Sequence, residues 1–232
     1  MVFSLLDFLF PKRCVSCHQL GGYLCEDCFS KIELIEKPVC PVCQRQAFGG
    51  KTHPGCRTQF GLDGLVVACR YQGPVKKAIA KIKYKWTYDI ANIFTDLIGA
   101  NLWKFDLPKD LTLVPVPLHS KRLYWRGFNQ ARVLAERLAK KFNVPIADTM
   151  IRIIETKSQV GLKKDDRHKN VRGAFVLRLA PLAQDEIIAD VRGKDIILVD
   201  DVFTSGATMA ECAKVLKRAG AKTVWAMAVA LG

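Results

Sequence analysis

Acidic residues are scarce in this 232-residue chain: 22 Asp and Glu stand against 36 Lys and Arg, leaving a formal charge of +14. Long hydrophobic runs are missing too. Charges interrupt each apolar stretch well before the ~20 residues a membrane helix needs, which excludes a spanning segment. The first ten residues, Met1 to Phe10, are apolar, but they lack a basic leader and a small-residue cleavage site, and Pro11, Lys12 and Arg13 follow at once. We therefore expect an amphipathic helix packing on the protein itself, against membrane contact, and a cytoplasmic location. There is no Gly-x4-Gly-Lys-Ser/Thr, which excludes a nucleoside-triphosphatase loop. Neither low-complexity sequence nor any repeat beyond paired cysteines occurs.

What is present begins with an ample core, since 50% of the residues are hydrophobic, which argues against disorder. The positive charge is concentrated. Residues 61–90 carry +4, residues 120–142 carry +6 and residues 151–178 carry +5, whereas 179–232 comes to −1. Such local excess surpasses what solubility requires and points to polyanionic partners such as nucleotides, pyrophosphate or nucleic acid.

Composition changes near residue 60. Seven of nine cysteines lie between Cys14 and Cys56, among many glycines, so residues 1–60 read as a loop-rich module held by something other than a core. Residues 61–232 read as an α/β domain. Leu65 to Cys69, Leu111 to Val116, Ile151 to Ile154, Ala174 to Leu177, Asp195 to Val199 and Thr223 to Ala230 read as strands. Helices are expected from Gly73-Pro74 onward (inner face Val75, Ile79, Ile82, Trp86), over Asn129 to Phe142 (inner face Ala131, Leu134, Ala135, Leu138, Phe142) and from Gly206 to Ala219. Thr156 to Arg172 is polar, basic and aperiodic and reads as a long loop. Alternating strands and helices imply a mostly parallel sheet.

Cys14-x2-Cys17-x7-Cys25-x2-Cys28 supplies two thiolate pairs that can close one tetrahedral zinc shell. A pair of disulfides is the competing reading, but neighbouring CxxC pairs are poor bridge partners and a cytoplasmic chain is reducing territory. Cys40-x2-Cys43 with His53-x2-Cys56 offers a second shell, although His53 can also be read as a surface histidine before Pro54. Four protein ligands leave no open position, so the metal reads as structural. Cys69 and Cys212 read as core residues.

The segment Ile197-Leu198-Val199-Asp200-Asp201-Val202-Phe203-Thr204-Ser205-Gly206-Ala207-Thr208 carries the chemistry. A buried strand delivers two carboxylates to its C-terminal edge, where open α/β sheets bind ligands. A Thr-Ser-Gly turn then opens a helix whose N–H groups and dipole suit a phosphate. Carboxylates alone repel phosphate, so the ligand must also offer hydroxyls or a metal. A ribose 5-phosphate meets both demands. An ordinary capped strand-turn-helix is the plain alternative.

This run resembles the phosphoribosyl-pyrophosphate (PRPP) motif of type I phosphoribosyltransferases. Val114-Pro115-Val116-Pro117-Leu118, Arg122 and Arg126-Gly127-Phe128-Asn129-Gln130-Ala131 resemble the signature of the ComF family of competence proteins, which includes GntX-like members. The cysteine pairs and Thr156, Gln159, Leu162, Arg167, Asn170 and Phe175 are similar too, with His53 departing from an expected Cys.

The resemblance implies a type I phosphoribosyltransferase-like sheet with helices on both faces. It implies PRPP held by Asp200 to Thr208 (Val202, Phe203, Thr204, Ser205, Gly206 and Ala207 included), by Arg122 and Arg126 on the loop after the second sheet strand, and by Arg167. Magnesium would accompany the pyrophosphate. Residues 156–172 would form a lid with Lys163, Lys164 and Arg167, and a hood would come from residues 61–90 and the cysteine module. Asp200 and Asp201 would be catalytic if pyrophosphate is displaced from ribose C1.

Two roles follow: a competence protein handling single-stranded DNA alongside the DNA-uptake machinery, or an active phosphoribosyltransferase of nucleobase metabolism. For DNA, Lys83, Lys85 and Arg126 are the candidate contacts. Tyr84, Trp86, Tyr124 and Trp125 read either as stacking rings or as packing residues.

Overall fold

A computed structural model describes residues 11–82, 87–156, 164–178 and 191–232. Its centre is a four-stranded sheet of β1 (Gly64–Arg70), β2 (Leu111–Pro115), β5 (Asp195–Phe203) and β6 (Thr223–Leu231). The strand order is β1-β6-β5-β2, and every pairing is parallel. A separate antiparallel pair joins β3 (Met150–Arg152) to β4 (Phe175–Leu177). No helix among the described residues is long and apolar enough to cross a membrane.

Both faces of the central strands are covered, which explains their unbroken apolar sequences. Ile197, Val199, Trp225, Met227 and Val229 meet residues of α2 (Gly73–Ile82), α3 (Thr87–Gly99) and α5 (Gln130–Phe142) in one core. On the other face Ile196, Leu198, Val224, Ala226 and Ala228 meet Met209, Cys212, Ala213 and Leu216 of α7 (Ala207–Arg218). The period-2 alternation of each strand thus divides between two helix layers. Asn129 caps α5 by accepting from the N–H of Ala131, and Asn143 closes it in the left-handed region.

The cysteine module, which contains the short helix α1 (Glu26–Phe29), is fastened to the open side of β1. Ile35 donates to the carbonyl of Ala68 and Arg70 donates to that of Glu33, at 2.9 and 2.8 Å. Leu34 bridges antiparallel to Cys69. These bonds occupy an edge that would otherwise present bare N–H and C=O groups.

Several expectations need correction. The strand expected to stop at Val199 runs to Phe203, because Asp200 pairs with Ala228 and Val202 with Ala230. The two acids therefore sit inside the ladder. The expected loop 156–172 contains α6 (Lys164–Val171). Its hydrophobic signal is nearly absent because only Val171 contributes a buried apolar side chain. The loop expected to carry Arg122 and Arg126 is helical, α4 (Ser120–Arg126). The helix α3 was not anticipated, although Ile90, Ala91, Phe94, Leu97 and Ile98 are all buried at helical spacing. Phe142 ends its helix and stays 36% exposed, off the expected inner face. Met1 to Phe10 and Trp86 lie outside the described residues.

At Gly64 of β1 an added Cβ would stand 2.3 Å from the Trp225 ring. Trp225 is itself buried between sheet and helices. We expect Gly64→Ala to cost about 1–3 kcal/mol through overpacking. Each kcal/mol should lower Tm by roughly 2–4 °C for a chain of this size. An unchanged melting curve would show that Trp225 yields freely and that this contact does not constrain the sheet.

Candidate functional site

Two sets of metal-binding side chains assemble as the spacing predicts. Cys14, Cys17, Cys25 and Cys28 form one, and Cys40, Cys43, His53 and Cys56 the other, with the ligand atoms of each set within 4.8 Å of one another. The two knuckles repeat one design. His18 donates to the carbonyl of Cys14 and Gln44 to that of Cys40, each at 2.9 Å. Both turn residues take positive φ, 67° and 56°.

Burial raises the Cys14 thiol, but N–H groups of Cys25, Cys17 and Ser16 outweigh it and bring the pKa down to about 6. That favours the thiolate of Cys14. The Cys28 N–H lowers the Cys25 thiol, but burial and the neighbouring thiols outweigh it and push it up to about 12, and burial raises Cys28. A bound metal requires all of them as thiolates. His53 is no stray surface residue: its Nδ1 lies 3.3 Å from Cys43 Sγ, and its Nε2 lies 2.9 Å from the carbonyl of Gln46. With Nε2–H donating to that carbonyl, the Nδ1 lone pair faces the thiolates, as a metal-bound histidine needs. A shell of four thiolates and a shell of three thiolates with one imidazole both fit tetrahedral zinc. Cys69 and Cys212 are buried in the core, and burial pushes the Cys69 thiol up to about 12.

The second assembly surrounds a cavity of about 480 Å³ beside the C-terminal ends of β2 and β5. On one wall stand Asp200 and Asp201, where Asp200 Oδ1 accepts the N–H of Asp201 at 2.8 Å. Thr204 to Gly206 then turn the chain into α7. Gly206 has φ 75°, and a Cβ there would stand 2.6 Å from the Phe203 ring, so the turn requires glycine. The 12-residue helix that follows presents its first-turn N–H groups and positive dipole end.

On the facing walls are Arg122 and Arg126 from α4, Arg152 from β3, Arg167 from α6 and Lys76 from α2. These cations are partly fixed before any ligand arrives. Arg126 Nη1 donates to Gln130 Oε1 at 2.6 Å, and Arg122 Nη2 to the carbonyl of Thr156 at 2.8 Å. Arg152 donates to Thr156 Oγ1 and lies 5.3 Å from the Phe175 ring centroid. Burial, then the like charge of Arg122, lowers the Arg152 pKa. A guanidinium stays protonated regardless, so this pair suits an anion between them.

Of the residues expected at this site, Arg122, Arg126, Arg167, Asp200 to Thr204 and Gly206 to Thr208 line the cavity. Ser205 does not; its hydroxyl turns toward the N–H of Ala207 at 3.4 Å. Tyr71, Lys76, Gln130 and Arg152 also line it and were not anticipated. Arg152 had one signal: a lone charge inside the apolar run Met150 to Ile154.

Of the expected hood, Tyr71 and Lys76 from residues 61–90 line the cavity, whereas residues 64–70 form β1 of the sheet and no described residue of the cysteine module lines it. The module instead touches the turn that leads into α7, through Gln44 Nε2 donating to the Thr204 carbonyl at 2.7 Å. Lys83, Lys85, Tyr84, Lys163, Gln159, Leu162 and the side chain of Lys164 lie outside the described residues.

Known proteins repeat this two-part arrangement. Residues 5–58 match the double zinc ribbon domain and residues 129–231 the phosphoribosyl transferase domain. Competence protein F of Haemophilus influenzae is 27% identical over 94% of this chain and 97% of its own length. Competence protein ComFC of Bacillus subtilis is 30% identical over 85% of this chain and 79% of its own. DNA utilization protein YhgH of Escherichia coli K12 is 29% identical over 92% and 94%. With paired cysteine knuckles ahead of a parallel sheet whose β5 carries twin acids and leads into a Thr-Ser-Gly turn, the chain belongs to the ComF family, as a competence-related, phosphoribosyltransferase-like protein with a zinc-binding module.

Proposed function

We propose that this protein binds PRPP together with Mg2+ and single-stranded DNA, and acts in the cytoplasm with the DNA-uptake machinery during natural transformation. The observation that carries the PRPP reading is the cavity, where two carboxylates and a helix N-terminus face five cationic side chains. No single simple anion needs all three. A phosphorylated sugar bearing a pyrophosphate does: the 5-phosphate suits the Thr204 to Thr208 turn, the ribose diol suits Asp200 and Asp201, and the pyrophosphate suits Arg122, Arg126 and Arg152. Carboxylate oxygens beside a pyrophosphate also fit Mg2+, which would neutralise phosphate charge there. The relatives' names, competence and DNA utilization, support the biological context, and the basic excess supports a nucleic-acid partner.

A second reading, phosphoribosyl transfer, is favoured by the complete acid-turn-helix run. In it the bond from ribose C1 to the pyrophosphate oxygen breaks and an acceptor nucleophile forms a bond to C1. Asp200 and Asp201 would stabilise the positive charge developing on the sugar, while the arginines take the departing oxygens. Residues 1–60 and 61–232 are proposed as separate folding units, with two zinc ions in the first.

Calorimetry with PRPP and Mg2+ tests the site. Arg122→Ala or Arg126→Ala should each remove a charge-assisted hydrogen bond, about 1.5–3 kcal/mol, and so weaken binding roughly 10- to 150-fold. Absence of heat from the wild-type protein would end the PRPP reading. For transfer, pyrophosphate release across a panel of nucleobases should disappear in an Asp200→Asn, Asp201→Asn double variant. Equal release from both proteins would rule catalysis at this site out.

Metal analysis should give two zinc ions per chain and one in Cys56→Ser. A single ion in the wild type would remove the second centre.

A further inference from the structure

One helix joins the proposed sugar-phosphate cavity to a pair of bare aromatic rings. Along α4, Arg122 and Arg126 are four residues apart and line the cavity, as two positions on one helical face do. Tyr124 and Trp125 do not line it. They are 86% and 87% exposed, far beyond what a packing role leaves uncovered. Their rings stand 6.5 Å apart, edge to face at 84°.

Two large bare rings on a surface lose solvation free energy unless something covers them, and the charge around them selects what. Ser120–Arg126 contains Lys121, Arg122 and Arg126 and no acid. Glu155, which lies close by, is paired with Lys121 at 2.7 Å. The wider segment 120–142 carries +6. An aromatic pair embedded in positive charge matches a chain of flat bases on an anionic backbone.

The helix is also held in place. Arg122 ties it to Thr156, and Arg126 ties it to Gln130. A fixed platform needs little ordering when a strand arrives.

We infer that Tyr124 and Trp125 form the base-stacking platform for single-stranded DNA. Because neither ring lines the cavity that the two arginines line, PRPP and DNA bind together and do not displace one another. This rests on the DNA-binding reading above and adds to it a place and a relation to the cavity. It also shifts the contact away from Lys83 and Lys85 toward α4.

The test uses the full-length, zinc-loaded chain and a fluorescent oligo-dT at low salt, with and without saturating PRPP and Mg2+. Tyr124→Ala and Trp125→Ala should each weaken oligonucleotide binding about 5- to 150-fold, and PRPP affinity should stay within about twofold, since neither ring touches the cavity. Trp125→Phe should keep most of the binding, because a ring remains to stack. Trp103→Ala, which removes another ring that is 80% exposed, should change nothing.

If the wild type binds oligo-dT and the α4 variants bind equally well, the platform is wrong while DNA binding stands. Binding lost equally in Trp103→Ala would also overturn it. Displacement of the oligonucleotide by PRPP would overturn the two-sided arrangement. A wild-type chain that ignores oligo-dT sinks the platform and the DNA-binding reading together. Trp125→Ala converting a dimer to a monomer, with oligo-dT binding unchanged, would assign the rings to a second copy of this chain and overturn the proposal.

Discussion

The ladder between β5 and β6 is the constraint on which everything at the cavity depends. It runs from Asp195 opposite Thr223 to Phe203 opposite Leu231, with Asp200 opposite Ala228 on the way. Hydrogen bonding on both sides of β5 fixes where the strand ends, and hence where the turn and the first residues of α7 emerge. A slip of one residue would exchange the two faces of the strand. Ile196 and Leu198 would leave one core for the other, and the carboxylates would exchange sides with them. The small residues Ala226, Ala228 and Ala230 of β6 are each fully buried. Register is thus secured by the hydrophobic cores, and the polar site inherits its precision from them.

Electrostatics impose the second condition. Five cationic side chains around a cavity of about 480 Å³ repel one another, and Arg152 shows it through burial and the charge of Arg122. Thr156 partly compensates, since its carbonyl and its hydroxyl each accept from one of these guanidiniums. That contact makes Thr156 a hinge point of charge balance, just ahead of the segment that carries Arg167 on α6. An anion entering the cavity would take over part of the role Thr156 plays. The two aspartates would disfavour a bare polyphosphate there, since carboxylate charge repels phosphate unless hydroxyls or a divalent cation intervene.

Much of this was readable from sequence, and the parts that were not share physical causes. The acid-turn-helix run could be read because strand, turn and helix signals coincide within a dozen residues. The cysteine spacings could be read because metal coordination restricts geometry more tightly than packing does. Arg152 was obscured because a pocket residue on a short strand has no periodicity of its own. Helix α6 was obscured because it buries almost nothing and so leaves no amphipathic trace. Helix α4 was mistaken for a loop since its seven residues are mostly polar and its cavity-facing side is lined by arginines. The cavity requires that composition, so the same residues that make the site hide the helix from pattern reading.

The cysteine module shows why a small loop-rich segment is carried at all. About fifty residues cannot bury enough apolar surface to hold themselves together, and two four-ligand sets supply that cohesion instead. Once rigid, the module reaches two places that a flexible loop would serve poorly. Its strand-like segment at Glu33 to Ile35 closes the β1 edge. Its second knuckle, through Gln44, donates to the Thr204 carbonyl from outside the cavity. Gln44 follows Cys43 directly and takes its left-handed turn because the knuckle demands one. The side chain that braces the Thr204 turn is therefore aimed by the geometry of a metal site, across 160 residues of sequence. Metal coordination and the shape of that turn are linked by this hydrogen bond. Neither the zinc spacing nor the turn motif, read alone, contains that link.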